Sequence, residues 1–262
     1  MKCKICGADA KLAFNHDILN KYSSSYYKCD NCGYLFTEEP YWLEESYSSA
    51  IASADTGIID RNIYFAEIVP VILYLLGIDV TESKFVDYAG GGGIFVRMMR
   101  DLGLDYYWYD KYCNNWVSNG FEADMSLHYD GLTMFECLEH LPNPLESVSE
   151  LSRLSDVLIF STELLPSEVP DQSWWYYSFE TGQHIGFFSE KTLYYLANEL
   201  KYHYFSIGSI HVFSRNKIGW WRIKLLTYLL NKNRLMLMFS KFIKLSSKTH
   251  SDHILMKHKI GK

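Results

Sequence analysis

The sequence predicts an α/β protein built on a largely parallel sheet with helices on both faces, preceded by a small cysteine-bearing segment. Three observations carry this expectation. From about residue 60 onward, short apolar runs of strand length alternate with helical runs; four consecutive glycines join one such strand to the next helix; and four of the six cysteines fall in the first 32 residues as two C-x-x-C pairs. A chain of 262 residues, 48% hydrophobic and 21% charged, holds one large domain, or one domain and a small appendage. Its longest apolar stretch, Ile68 to Ile78, contains Pro70 and is far short of the ~18 residues that would span a bilayer. The opening MKCKICG has no apolar h-region of a secretory signal, so a cytoplasmic protein is expected.

Taken in order, residues 1–40 hold the paired cysteines, with Gly7 and Gly33 each following the second cysteine of a pair. A second domain is expected over 60–262. Asp60 to Leu76 suits a helix through Ile63, Phe65, Ala66, Val69, Ile72, Leu73 and Leu76, with Pro70 expected to kink or break it. Lys84–Tyr88 is a strand, followed by the glycine turn and a helix over Ile94 to Leu102. Asp105–Tyr109, Gly131–Phe135 and Asp156–Ser161 are the next strands. Ser189 to Leu200 is helical, Tyr204 to Phe213 is a strand, and His253 to Lys257 is expected to be the last strand.

The charge is uneven. Between Asn216 and Thr249 stand eight basic residues and no acidic one, so the rest of the chain, with 17 basic against 31 acidic residues, is an acidic body of about −14. Such a body argues against nucleic-acid binding through the whole surface. The basic segment, 216–249, is expected to insert two helices, about 219–230 and 234–245. Two readings of it stand: a helix pair packed on its own domain with solvated lysines, or a face for an anionic membrane or a pyrophosphate-linked substrate.

Cys3, Cys6, Cys29 and Cys32 form C-x2-C-x22-C-x2-C. Two thiolates two residues apart chelate one ion from a tight turn, and four close a tetrahedral shell suited to structural Zn2+. The segment resembles a zinc ribbon. Further on, Asp87-Tyr88-Ala89-Gly90-Gly91-Gly92-Gly93 joins a strand to a helix, and Asp110 ends the next strand, where a carboxylate can accept ribose hydroxyls.

With these residues the sequence resembles the class I S-adenosylmethionine-dependent methyltransferases. Asp87, Gly91 and Gly93 occupy the acidic and last two glycine positions of that family's first motif, and Ala89 stands where its first glycine usually is. The resemblance implies a Rossmann-like seven-stranded sheet. It also implies that Asp87 and the turn hold the methionine part of the cofactor, Asp110 the ribose and Asp124 the adenine amino group. Glu136-Cys137-Leu138-Glu139-His140, with Pro144 beyond, resembles the E-x-L-E-H-x-x-x-P signature of small-molecule methyltransferases.

Glu136, Glu139 and His140 can converge on one turn, and His184 offers a further imidazole. A similar E-x-x-E-H in quinone catechol O-methyltransferases and small-RNA 2'-O-methyltransferases binds a divalent ion, which here implies Mg2+ or Mn2+. Three roles stay open: a metal site, a general base at His140 or His184 without metal, or a structural turn.

Trp174-Trp175-Tyr176-Tyr177 cannot all face one core, so this run either stacks on a sugar or closes over the cofactor. With the Gly-Gln-His-Ile-Gly that follows, it is similar to methyltransferases of bacterial surface-polysaccharide metabolism. The expected function is therefore O-methylation of a sugar hydroxyl on a small-molecule or lipid-linked acceptor. The alternatives are an RNA methyltransferase, against which the acidic body argues, and a non-catalytic binding module of the same fold. The oligomeric state is left open by the sequence.

Overall fold

A computed structural model describes residues 1–47, 55–230 and 245–260. In chain order the elements are β1 (Lys11–Ile18), β2 (Tyr22–Lys28), β3 (Leu35–Thr37), α1 (Leu43–Ser46), α2 (Ile58–Leu76), β4 (Lys84–Tyr88), α3 (Ile94–Asp101), β5 (Asp105–Tyr109), β6 (Gly131–Met134), α4 (Pro144–Leu151), β7 (Val157–Ser161), β8 (Gly186–Phe187), α5 (Glu190–Glu199), β9 (His203–Ile207), β10 (Ile210–Ser214), α6 (Trp220–Leu230) and α7 (Thr249–Ile260). The strands form a four-stranded sheet of order β1-β2-β3-β8 and a six-stranded sheet of order β5-β4-β6-β7-β10-β9.

The seven-stranded expectation is corrected to six, in a mixed sheet. β4 runs parallel to both β5 and β6, but β10 is antiparallel to β9. The run expected as one strand over Tyr204 to Phe213 is a hairpin, because Gly208 adopts φ +59° and turns the chain between Ile207 and Ile210. The last expected strand, His253 to Lys257, lies inside α7 instead. That helix is fixed by a buried ion pair which its own sequence does not announce. Asp252 receives Arg100 Nε and Nη2 at 2.8 Å each, and Arg100 also reaches Asp105 at 2.7 Å.

The chain divides into two compact units. One comprises Met1–Ala52, Met134–Arg153 and Phe160–Asn216. Its four-stranded sheet is antiparallel throughout, and its last strand, β8, comes from far along the chain: Leu35 pairs with Phe187 and Phe36 with Gly186. Aromatic side chains fill its core, with Tyr26, Trp42, Tyr176, Tyr177 and Phe187 all buried. Helix α5 opens with a capping box, Ser189 Oγ accepting from Thr192 N and Thr192 Oγ1 from Ser189 N, each at 3.2 Å.

The other unit comprises Ser53–Thr133, Leu154–Ile159 and Lys217–Lys262. Helix α2 continues through Pro70, which forfeits only the hydrogen bond its nitrogen cannot donate, so the expected break does not occur. It ends at Gly77, φ +84°, where Ile78 N–H returns to the Leu73 carbonyl at 3.1 Å. Phe65, Ile68, Val69, Ile72 and Leu73 form its buried face. Of the two helices expected in the basic segment, the first is α6 and the second falls almost wholly outside the described residues. Among the described residues no helix is long and apolar enough to cross a membrane.

Candidate active site

β4 delivers Asp87 to the mouth of the glycine turn. Its side chain is 2% exposed, and Oδ1 accepts from the Thr133 hydroxyl at 2.6 Å. Burial pushes this carboxyl up to about 7; the Thr133 hydrogen bond opposes the shift and the charge of Asp110 adds to it. The turn folds tightly over it, since a Cβ on Gly90 would stand 2.7 Å from Asp87 Oδ2. Ala89 holds φ +58°, the left-handed conformation a glycine takes without strain, so the alanine keeps the shape of the motif at a cost of roughly 1–2 kcal/mol. Gly91 has the same hand, φ +52°, and a Cβ there would meet nothing within 4 Å.

Asp110, just beyond β5, is bound into this turn. Oδ2 accepts the Gly91 N–H at 2.9 Å, while Oδ1 accepts the N–H groups of Tyr112 and Cys113 at 2.7 and 2.8 Å. A carboxylate has about four lone-pair positions, so one stays open on Oδ2. Gly93 caps α3 with φ +84°, leaving the first amides of that helix directed at the turn. Two indoles that the sequence pattern did not single out complete the region. Trp108 Nε1 donates to the Gly91 carbonyl at 2.9 Å, and the 61%-exposed Trp116 lies against Gly92, where a Cβ would come within 2.8 Å of its ring. Asp124 is exposed, and its Oδ1 accepts from both N and Oγ of Ser126 at 2.9 and 2.6 Å.

The E-x-L-E-H turn presents a second cluster, in the other unit. Glu139 and His140 lie on a single 3-10 turn, Leu138–His140. The Glu139 side chain is fully buried, and neither carboxylate oxygen has a hydrogen-bond partner of good geometry among the described residues. Burial, and after it the neighbouring Glu136 charge, raise this carboxyl to about 8.

His184 follows a loop that the ribbon segment holds at both sides. Trp42 Nε1 donates to the Gly182 carbonyl and Gln183 Nε2 to the Ser46 carbonyl, each at 2.8 Å, while Ile185 N donates to the Glu139 carbonyl at 2.9 Å. His184 Nδ1 lies 2.7 Å from the Tyr176 carbonyl. A carbonyl only accepts, so that nitrogen carries the proton and Nε2 keeps its lone pair. His140 Nδ1 pairs with the Tyr47 hydroxyl at 3.0 Å. Burial holds both imidazoles below their usual range, His140 well below it with His184 adding to the shift. One ligand atom from each of Glu139, His140 and His184 lies within 4.8 Å of the other two.

Glu136 stands outside this set of three. With φ +47°, it is folded back on the end of β7: its N–H donates to Ser161 Oγ at 2.9 Å, and that hydroxyl donates to Glu136 Oε1 at 2.5 Å. Tyr47, Ser161 and Thr162 support the cluster and carry no motif that would have marked them, whereas Tyr176, paired with Thr162 through their hydroxyls at 3.1 Å, belongs to the aromatic run. Of the aromatic run, Tyr176 and Tyr177 are buried and Trp174 packs against the same core, whereas Trp175 is 71% exposed.

The four N-terminal cysteines meet. Cys3 and Cys32 Sγ are 3.5 Å apart, Cys6 and Cys29 Sγ 3.4 Å, and all four lie within 4.8 Å of one another. Two turns of the same form place them: Gly7 N returns to the Cys3 carbonyl and Gly33 N to the Cys29 carbonyl, at 2.9 and 2.8 Å, with φ +69° and +81°. Four convergent sulfurs make a closed tetrahedral donor set with no position left for a substrate.

No curated protein matches the chain. Solved structures of similar fold include magnesium protoporphyrin IX methyltransferase from Synechocystis PCC 6803 with bound SAM (15% identity, 68% of this chain and 95% of that one, TM-score 0.40). Another is an O-methyltransferase family protein from Burkholderia thailandensis (14% identity, 68% of each chain, TM-score 0.41). A third is the mitomycin 7-O-methyltransferase MmcR (12% identity, 67% of this chain and 66% of that one, TM-score 0.38). The family model for the methyltransferase domain aligns in sequence with residues 61–204 and so takes in both the glycine turn and the E-x-L-E-H turn. Since that match covers more than half of the chain, the protein belongs to the methyltransferase-domain family and is an S-adenosylmethionine-dependent methyltransferase.

Proposed function

We propose that this methyltransferase O-methylates a sugar hydroxyl, on a nucleotide-activated or lipid-linked glycan. The observation that carries the reading is the convergence of the fully buried Glu139 carboxyl with two neutral imidazoles, His140 and His184. Such a cluster suits an acceptor that must lose a proton as it attacks, which a hydroxyl must and a preformed carbanion need not. The exposed Trp175, edge-on to Tyr176 at 5.2 Å between centroids, supplies an apolar face of the kind that stacks on a sugar ring.

S-adenosylmethionine, when bound, would supply its sulfonium methyl group to an oxygen nucleophile, with S-adenosylhomocysteine as the leaving group. In this reading Asp110 Oδ2 accepts a ribose hydroxyl at its open lone pair, Asp87 and the Ala89, Gly91 and Gly93 turn hold the methionine part, and Asp124 Oδ2 takes the adenine amino group. His184 Nε2, left as an acceptor by the bond at Nδ1, receives the hydroxyl proton, with His140 beside it as the alternative acceptor. The Tyr47 hydroxyl fixes the His140 ring.

The same three residues fit a divalent ion, because two neutral imidazoles and a carboxylate that gives up its proton on binding are an accepted ligand set, and the bond at His184 Nδ1 leaves its Nε2 lone pair free. Glu139, His140 and His184 would hold it, and its chemistry there would be to acidify the acceptor hydroxyl. Two nitrogen donors favour Mn2+ over Mg2+, which prefers oxygen. Glu136, already held by Ser161, is assigned to shaping the turn. Cys3, Cys6, Cys29 and Cys32 are assigned a structural Zn2+.

The test incubates the protein with methyl-labelled S-adenosylmethionine and separate nucleotide-sugar, glycolipid and RNA fractions, with Mn2+, with Mg2+ and with a chelator. Label in a sugar fraction supports the proposal, and label confined to RNA overturns it. Turnover that persists undiminished in the chelator assigns the proton to the imidazoles alone and removes the ion.

A further inference from the structure

Helix α6 is anchored on one side and open on the other. It packs on α2, with Leu226 buried and Arg222 Nη1 donating to the Leu75 carbonyl at 3.0 Å. The opposite face repeats at helical spacing: Trp220, Lys224 and Tyr228 lie four residues apart, and Trp221 lies beside them. Trp220 is 68% exposed, Trp221 61% and Tyr228 55%. Tyr74, itself 51% exposed, lines the same cleft as Trp221.

Large rings held in water over a whole helix face are costly, at about 25 cal/mol for each Å2 of apolar surface. The residue types narrow what would cover them. Lys224 Nζ stands 3.6 Å over the Trp220 ring, so charge and indole are presented at one level. Protein interface cores are depleted of lysine, whereas the interfacial layer of a bilayer takes Trp and Tyr rings with ammonium groups among them. The charge agrees. This helix belongs to the stretch from Asn216 to Thr249 that has eight basic residues and no acidic one, on a chain otherwise rich in carboxylates. A positive, ring-bearing face on an acidic molecule is complementary to a negatively charged plane that meets the molecule on this side alone.

We propose that α6 docks the protein on an anionic lipid bilayer, lying in the interface with Trp220, Trp221 and Tyr228 inserted and Lys217 and Lys224 on the headgroups. The contact is peripheral, since no described helix is long and apolar enough to span. It does not depend on which acceptor is methylated.

The full chain is floated with vesicles of phosphatidylglycerol and phosphatidylcholine, and with phosphatidylcholine alone, while tryptophan emission is followed. Expected is flotation with the anionic vesicles only, a blue shift on binding, and release at ~1 M salt, where charge attraction is screened within ~3 Å. Replacing both lysines, Lys217→Ser with Lys224→Ser, lowers partitioning on the order of 30-fold. Trp220→Ser with Trp221→Ser lowers it by ~10-fold or more and removes the blue shift. Both variants should keep the wild-type melting temperature and S-adenosylmethionine affinity, which separates lost docking from lost folding. The proposal is overturned if the wild type stays with neither vesicle, if neutral vesicles bind as well, if the folded variants still float, or if the same face instead retains a single-stranded RNA oligomer or pairs two copies in sedimentation.

Discussion

The glycine turn and the Glu139 cluster are both built around a buried carboxyl, yet they treat it in opposite ways. Asp87 receives a hydroxyl from Thr133, and nearby Asp110 accepts three backbone N–H groups, so the turn is held in shape by its own hydrogen bonds. Glu139 is as deeply buried, and among the described residues both its oxygens lack a partner of good geometry. An unpaired buried carboxyl costs several times what a paired one does. A fold keeps such a group where something outside the chain completes it. Under the proposed function, the first region is preformed for its ligand, whereas the second holds chemistry in reserve.

The largest expected effect tests the second region. Glu139→Gln keeps the shape and removes the ionisable carboxyl that completes the set with His140 and His184, and should lower kcat/KM by roughly 10^2–10^4-fold. S-adenosylmethionine affinity by calorimetry should stay unchanged; a parallel loss of affinity would show that the two regions are one.

The next contrast is in pH. Asp87 is raised from 3.8 to about 7, so the native state holds a proton that the unfolded chain releases. Stability from this group is complete below pH ~4 and is lost as pH rises through about 7, by up to ~4 kcal/mol. The melting temperature of the ligand-free protein should fall between pH 5 and pH 8, and Asp87→Asn should flatten that fall. An equal slope in the variant would mean that another group dominates.

The smallest effect belongs to Asp110→Ala, expected to weaken S-adenosylmethionine binding by roughly 10–100-fold, the worth of about 1.5–3 kcal/mol of charged hydrogen bonding. The fold should survive, because Tyr112 N–H, one of the freed amides, belongs to an exposed residue and turns to water. Unchanged affinity would remove Asp110 from the ribose.

What was legible in the sequence follows from the range of the forces involved. Strands β4 and β5 and helix α5 stand where alternation, apolar runs and Ser189 placed them, because their patterns are local. The two knuckle turns were equally clear, since a C-x-x-C-G unit is complete within five residues. The failures are long-range. A five-residue stretch with three apolar residues, Ile254 to Met256, is too short to separate strand from helix, and Arg100, about 150 residues upstream, fixes the helix by binding Asp252. The hairpin at Gly208 was hidden because both flanks, Tyr204 to Ile207 and Ile210 to Phe213, are mostly apolar and of strand composition. Tyr47 and Ser161 come from separate segments and meet the E-x-L-E-H turn only through the fold. That Glu136 would turn away from the other two ligand candidates also depended on a serine that no motif marks.

The pairing of β3 with β8 has a consequence for how the chain is made. Residues Leu35–Thr37 precede Gly186–Phe187 by most of the polypeptide, so at ~5–20 residues per second of synthesis the ribbon waits on the order of ten seconds for the strand that completes its sheet. All four cysteines are translated well before that strand. If the four cysteines take the structural Zn2+ proposed for them, that ion can be captured before the strand of the later His184 segment has been made.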